Sequence, residues 1–232
     1  MKAINILSGG AAQGLVAHLA ETFKTHTGFG IEGEFGAVGA MADKLRRGAA
    51  ADLIVLTRAL VMKLADEGLV APSSIADVGP VKTALAIRGD DPKVTVKTES
   101  DLRDVLRAAD AIYIPDTRAS TAGIHVARVL DQLGIASEVA PRLKIFPNGA
   151  TAMRELAASD AERPIGCTQA TEILATKGIM LSDLLPPGCE LTTMYAAGVT
   201  TRATNAGGAH ALIKLLTDAN QRQLRQRVGF AS

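Results

Sequence analysis

Four short stretches hold the residues best suited to chemistry. They are Ile4-Asn5-Ile6-Leu7-Ser8-Gly9-Gly10, Glu34-Phe35-Gly36-Ala37-Val38-Gly39, Ile145-Phe146-Pro147-Asn148-Gly149-Ala150-Thr151 and Ile165-Gly166-Cys167-Thr168-Gln169-Ala170-Thr171-Glu172. In each, an apolar run gives way to small and polar residues that can open a helix. The first N–H groups of a helix have no partner inside it and form a site for an anion. Gly9, Gly10 and Gly39 let the backbone approach a ligand closely. Ser8, Gln13, Thr57, Ser120, Thr121, Asn148, Thr151, Thr168 and Gln169 add hydroxyl and amide donors. Arg118 can meet a carboxylate with two parallel bonds. This inventory suits capture of a small anion.

The plainer alternatives are structural. Arg118 could be a solvated charge, and Asn148-Gly149 a simple turn. Gln169 could start a helix at the surface, although it follows the apolar run Ile165-Gly166-Cys167 and so favours a cleft. Asp52 reads as a cap for neighbouring N–H groups, and Cys167 as a small core residue. Cys167, Cys189 and the four histidines, His18, His26, His125 and His210, show no metal-ligand spacing, so no metal and no cofactor is expected. No Ser-His-Asp order with a nucleophile elbow is present.

Bulk properties narrow the field further. With 232 residues, 47% of them hydrophobic, the chain can bury a substantial core in one large or two smaller domains. A net charge of +1 supplies no field to recruit nucleic acid or an acidic membrane. Aromatics at 3%, with no Trp, argue against base-stacking platforms. No stretch reaches the length of a membrane span. Met1-Lys2 leads straight into an apolar strand without a signal-peptide pattern. The expected location is therefore the cytoplasm, or the periplasm if a signal segment has been trimmed away.

The elements that must hold these loops alternate strand and helix, the mark of an α/β fold. Strands are expected at Ile4–Leu7, Ile31–Phe35, Leu53–Leu56, Val81–Ile87, Ala111–Ile114, Leu143–Phe146, Ile165–Thr168 and Thr192–Val199. Leu53–Leu56 is continuously apolar, as in a parallel sheet covered on both faces. Ser8–Ala12 reads as a turn, Gly28 and Gly30 as the close of the first helix, Gly79-Pro80 as a break, and Leu181–Glu190 as a loop. Helices are expected at Ala40–Arg47, Leu60–Glu67, Leu102–Ala108 (after Thr98-Glu99-Ser100-Asp101), Gly123–Leu133, Ala150–Ala158, Ala209–Leu216 and Asn220–Val228.

Taken in order, Leu7-Ser8-Gly9-Gly10, Thr27-Gly28, Phe35-Gly36-Ala37-Val38-Gly39, Gly48-Ala49-Ala50-Ala51-Asp52-Leu53, Thr121-Ala122-Gly123, Leu133-Gly134, Ile165-Gly166 and Val228-Gly229-Phe230 resemble the periplasmic-type solute-binding proteins. The match is to their molybdate-binding, two-lobe Venus-flytrap branch. The resemblance implies two Rossmann-like α/β lobes of mixed sheet joined by two crossovers, the type-two periplasmic-binding-protein arrangement. Lobe one would be residues 1–80 plus 196–232 and lobe two 81–195, with a ligand cleft between them. The departures are informative. Molybdate binders place Ser hydroxyls in the first two loops, where this chain has Gly10 and Ala37-Val38. Their late-strand Tyr falls on Gln169, and their Thr-Asp step on Thr171-Glu172. An oxyanion left short of donors in a closed site costs about 1–3 kcal/mol for each unpaired oxygen. A larger organic anion, a di- or tricarboxylate, is the expected ligand, with molybdate or tungstate less favoured.

Three function classes follow. The chain could be a ligand-binding module without chemistry, a receptor for a transporter (a partner the missing signal pattern argues against), or an enzyme on the binding fold. The last rests on resemblance to a subgroup that includes aconitate isomerase, which shifts a double bond by proton abstraction and return. Such chemistry needs carboxylate anchors and one base that returns the proton. Glu172, Asp116 and His125 are the candidates.

Overall fold

The computed structural model describes residues 3–231. Met1-Lys2, ahead of the first expected strand, and Ser232, the end of expected lobe one, lie outside the described residues. The chain divides into two compact units, one running to Val81 and resuming at Thr193, the other spanning Lys82–Thr192. No described helix is long and apolar enough to cross a membrane.

In unit one, β1 (Ala3–Gly9), α1 (Gln13–Thr27), β2 (Gly30–Gly36), α2 (Val38–Arg46), β3 (Leu53–Thr57) and α3 (Arg58–Asp66) follow in strict alternation. β4 (Ala76–Arg88) carries the chain out, and β9 (Thr192–Val199), α9 (Ala206–Thr217) and α10 (Arg222–Arg227) complete the unit. β1 pairs in parallel with β2 and β3, and β3 pairs antiparallel with β9, giving the order β2-β1-β3-β9. The apolar run Leu53–Leu56 of β3 is buried as its sequence demands, yet the strand is parallel on one side only. Burial of both faces, not strand direction, is what its composition recorded. Ile4, Leu15, Phe23, Leu53, Leu56 and Leu212 share one core.

Unit two continues through α4 (Glu99–Ala108), β5 (Ala111–Pro115), α5 (Thr121–Gln132), the short α6 (Ala136–Val139) and β6 (Leu143–Phe146). α7 (Gly149–Ala157), β7 (Pro164–Gln169), α8 (Ala170–Leu174) and β8 (Ile179–Leu184) follow. β5 is parallel to β6 and β7, and β4 is antiparallel to β7 and β8, so the order is β8-β4-β7-β5-β6. Side chains alternate across the sheet. Leu85, Ile112, Ile165 and Cys167 pack with Leu102, Val126 and Leu130 of α4 and α5. Ala84, Ala86 and Tyr113 pack with Met153, Leu156 and Ile173 of α7 and α8.

Four local expectations are corrected. Ser8 and Gly9 extend β1, and only Gly10–Ala12 turn, as a single 3-10 turn. Gly30 opens β2 instead of closing α1. Gly79-Pro80 does not break the chain: both residues lie inside β4, Gly79 at φ +151°, a backbone that favours glycine, and Pro80 with its ring-fixed φ, and the Pro80 carbonyl accepts the Ala231 N–H at 2.7 Å. Residues 181–184 are strand, and the loop begins only at the prolines that follow. The Thr98 capping box forms as expected, with Thr98 and Asp101 each bonding the other's backbone.

Candidate functional site

In each unit the parallel strands change direction of build around a central strand. The chain goes from β1 to β2 on one side and then returns to β3 on the other; β5 is likewise flanked by β6 and β7. The crevice beyond the carboxyl ends of such strands is where open α/β sheets take ligands. In unit one those ends are Gly9, Gly36 and Thr57, and in unit two Pro115, Phe146 and Gln169. The loops singled out from sequence therefore gather, unit by unit, at the favoured end of each sheet.

Capping separates these helix starts into two kinds. α4, α7 and α9 have a side chain from Thr98, Asn148 and Asn205 bonded to their first turn. α2, α3 and α5 begin after Ala37, Thr57 and Ser120 with no side-chain cap bond. The same holds at Gly9, ahead of Gly10. Ala37 and Val38 are buried, Gly39 and Thr57 half-buried. Ser8 is fully buried, its Oγ donating to the Gly9 carbonyl at 2.9 Å. Ser120 is buried and Thr121 half-buried. These starts combine uncapped N–H groups with small or hydroxylated residues, and their donors are what an anion can use.

The start of α7 is different, and here the anion-seat reading is corrected. Asn148 Oδ1 accepts the Thr151 N–H at 2.8 Å. The Glu172 carboxylate accepts the Thr168 hydroxyl at 2.6 Å and faces the backbone N–H groups of Gly149, Ala150 and Gln169, which favour its charged form. The protein thus places its own carboxylate at this helix start. A Cβ on Gly149 would lie 2.0 Å from Glu172 Oε2 and 2.2 Å from Thr168 Oγ1, so glycine is required by space. Burial raises the Glu172 pKa, and the four donors oppose that shift. No sequence pattern distinguished a seat awaiting a ligand from a seat already taken.

The other candidates are also placed. Gln169 is buried at the end of β7, consistent with the apolar run before it. Asp116 Oδ1 accepts the N–H groups of Arg118 and Ala119, both at 2.7 Å, and these bonds hold its pKa below the usual carboxylate value. His125 Nε2 lies 2.8 Å from the Cys189 carbonyl. Glu172, Asp116 and His125 are each engaged within the protein. The Arg118 side chain is exposed and in no ion pair among the described residues. Gly123 brings α5 against the preceding loop: a Cβ there would sit 2.2 Å from the Asp116 carbonyl. Cys167 is core, with burial pushing its thiol pKa up to about 12.

Asp52 is the cap that the sequence suggests. Its Oδ2 accepts the Asn5 N–H, and its Oδ1 the N–H groups of Thr204 and Asn205 and the Thr204 hydroxyl. Burial raises its pKa, but these bonds outweigh burial and the net shift is downward. Among the described residues, no group of three or more His, Cys, Asp or Glu could hold a metal ion. An apolar hollow of about 270 Å³ in unit two is lined by Pro92, Val105, Ala109 and Ile165. It lies toward the amino ends of β5 and β7, with Ile165 roughly 13 Å along the strand from Gln169 at the usual rise per residue, and contains none of the loop donors.

Comparison with known proteins agrees with this fold. The chain is 24% identical over 224 residues to an aconitate isomerase from a Pseudomonas species, covering 92% of this chain and 81% of that one. Its fold matches the periplasmic molybdate-binding protein of Azotobacter vinelandii with a TM-score of 0.81, at 16% identity over 99% of each chain. A sulfate-binding protein from Mycobacterium tuberculosis H37Rv matches with a TM-score of 0.76, at 16% identity over 99% of this chain and 86% of that one. These structures share the type-two periplasmic-binding-protein fold. The sequence model of the bacterial extracellular solute-binding proteins matches residues 4–231, and the chain belongs to that family.

Proposed function

We propose that the chain binds a small organic anion, a di- or tricarboxylate, through the loops at the carboxyl ends of its parallel strands. The observation that carries this reading is the capping contrast. α2, α3 and α5, of 9, 9 and 12 residues, start at those ends with no side-chain cap, while α7 is filled from within. The proposed ligand contacts are Ser8, Gly9, Gly10, Ala37, Val38 and Gly39, with Thr57, from unit one. Arg118, Ser120, Thr121 and Gln169 serve from unit two, with Asn148, Gly149 and Thr168 shaping the site and not donating to the ligand. Gly10, Ala37 and Val38 bring no hydroxyl to a small oxyanion, which favours a carboxylate that Arg118 can grip.

Thermal shift tests this with citrate, cis-aconitate and trans-aconitate against molybdate and sulfate. A ligand at about a hundred times its Kd adds about 2.7 kcal/mol to stability. A shift with at least one tricarboxylate and none with the inorganic anions is expected. The reverse pattern would refute the proposal.

A second reading, cofactor-free isomerisation of an unsaturated carboxylate, draws on the likeness to aconitate isomerase over most of the chain. The engagement of Glu172, Asp116 and His125 in internal bonds weighs against it, because a base must release and reclaim a proton at the ligand. Incubating cis- or trans-aconitate with the protein in heavy water decides it by NMR. Interconversion or deuterium uptake would establish catalysis, and neither would remove it for aconitate.

A further inference from the structure

Two hydroxyls in unit two are buried with no hydrogen-bond partner. Thr83, on β4, is 1% exposed, and Thr171, in the first turn of α8, is 2% exposed; neither Oγ1 has a partner among the described residues. Both flank Gln169. Thr83 is its direct register partner across the antiparallel β4–β7 pair, and Thr171 follows it by two residues. By strand alternation Thr83 and Gln169 issue from the face of the sheet that carries Leu85 and Cys167, the face covered by α5. Ser120 and Thr121, at the uncapped start of α5, belong to the same carboxyl-end cluster.

Neither hydroxyl is needed where it stands. The Thr83 backbone is already paired, its N–H with the Leu191 carbonyl at 3.0 Å and its carbonyl with the Leu185 N–H at 3.5 Å. Glu172, next to Thr171, draws its hydroxyl bond from Thr168 instead. Valine has the same shape as threonine and would bury no unmet donor. Buried polar groups without partners are rare, and each calls for an explanation. What both hydroxyls lack is an acceptor, and a carboxylate brings two acceptor oxygens.

We propose that Thr83 and Thr171 are ligand contacts that donate to a carboxylate group of the bound organic anion and so help select carboxylates. This rests on the organic-anion reading above. The test uses Thr83→Val, Thr171→Val and Thr83→Ser in the full chain, with citrate and trans-aconitate titrated calorimetrically and the unliganded Tm recorded. Each valine variant is expected to keep or raise the unliganded Tm while weakening Kd by about tenfold or more, the loss of one bond to a charged group. Thr83→Ser is expected to bind close to wild type. Wild-type binding that survives both valine substitutions overturns the assignment and leaves the organic-anion reading standing. No binding of either acid by the wild type overturns both. If Thr83→Val does not fold, Thr171→Val and Thr83→Ser decide by the same readouts.

Discussion

Gly149→Ala separates a filled helix start from an open one. In an ordinary helix the change would help, by roughly 0.5–1 kcal/mol. Here the new methyl would stand 2.0 Å from Glu172 Oε2 and 2.5 Å from its Cδ. The carboxylate must move, and the bond from Thr168 and the approach of the Gly149 and Ala150 N–H groups weaken with it. Overpacking costs about 1–3 kcal/mol, and a lost bond to a charged group about 1.5–3 kcal/mol. Net of the helix gain, a loss of about 3 kcal/mol is expected, or roughly 6–12 °C in Tm for a chain of this size. Urea denaturation of wild type, Gly149→Ala, Glu172→Ala and the double variant measures it. Removing the carboxylate makes room for the methyl, so the two changes should couple by at least about 1 kcal/mol. A Gly149→Ala protein as stable as wild type, or strict additivity in the cycle, would refute the filled-seat account.

Three further predictions concern pH and Arg118. Asp52 has a folded pKa below its unfolded value, so its contribution is present above about pH 3.9 and is lost as pH falls through the folded pKa. Wild type should therefore lose its advantage over Asp52→Asn on acidification, as read by denaturation at stepped pH. Glu172 is raised, so its contribution is fullest below about pH 4.3 and fades as pH rises through the folded pKa. Wild-type stability relative to Glu172→Gln should then fall with rising pH, and a flat difference would contradict the burial argument. Arg118→Ala should weaken tricarboxylate binding by about tenfold or more with little change in Tm, since its side chain is exposed; unchanged Kd by calorimetry would remove it from the site.

The order of strands and helices was legible because each apolar run ended in glycine, proline or a capping residue. The cap at Asp52 was legible too, as a lone carboxylate beside a buried strand. Other features left no local trace. β3 reads as parallel on both sides because its composition reports burial, while its antiparallel partner β9 lies far along the chain. β8 was hidden behind Pro186-Pro187-Gly188, which punctuate the loop after it. The Glu172 seat was illegible for the same reason: its donors come from Gly149 and Ala150, more than twenty positions earlier. Thr83 lay in a strand with no polar pattern around it, and only register brings it opposite Gln169.

The most direct test of the central claim is a calorimetric titration of the purified full chain with citrate, trans-aconitate and molybdate under one buffer condition. The account predicts saturable one-to-one binding of at least one tricarboxylate, with molybdate neither binding nor competing. Saturable molybdate binding with no response to the organic acids would contradict it.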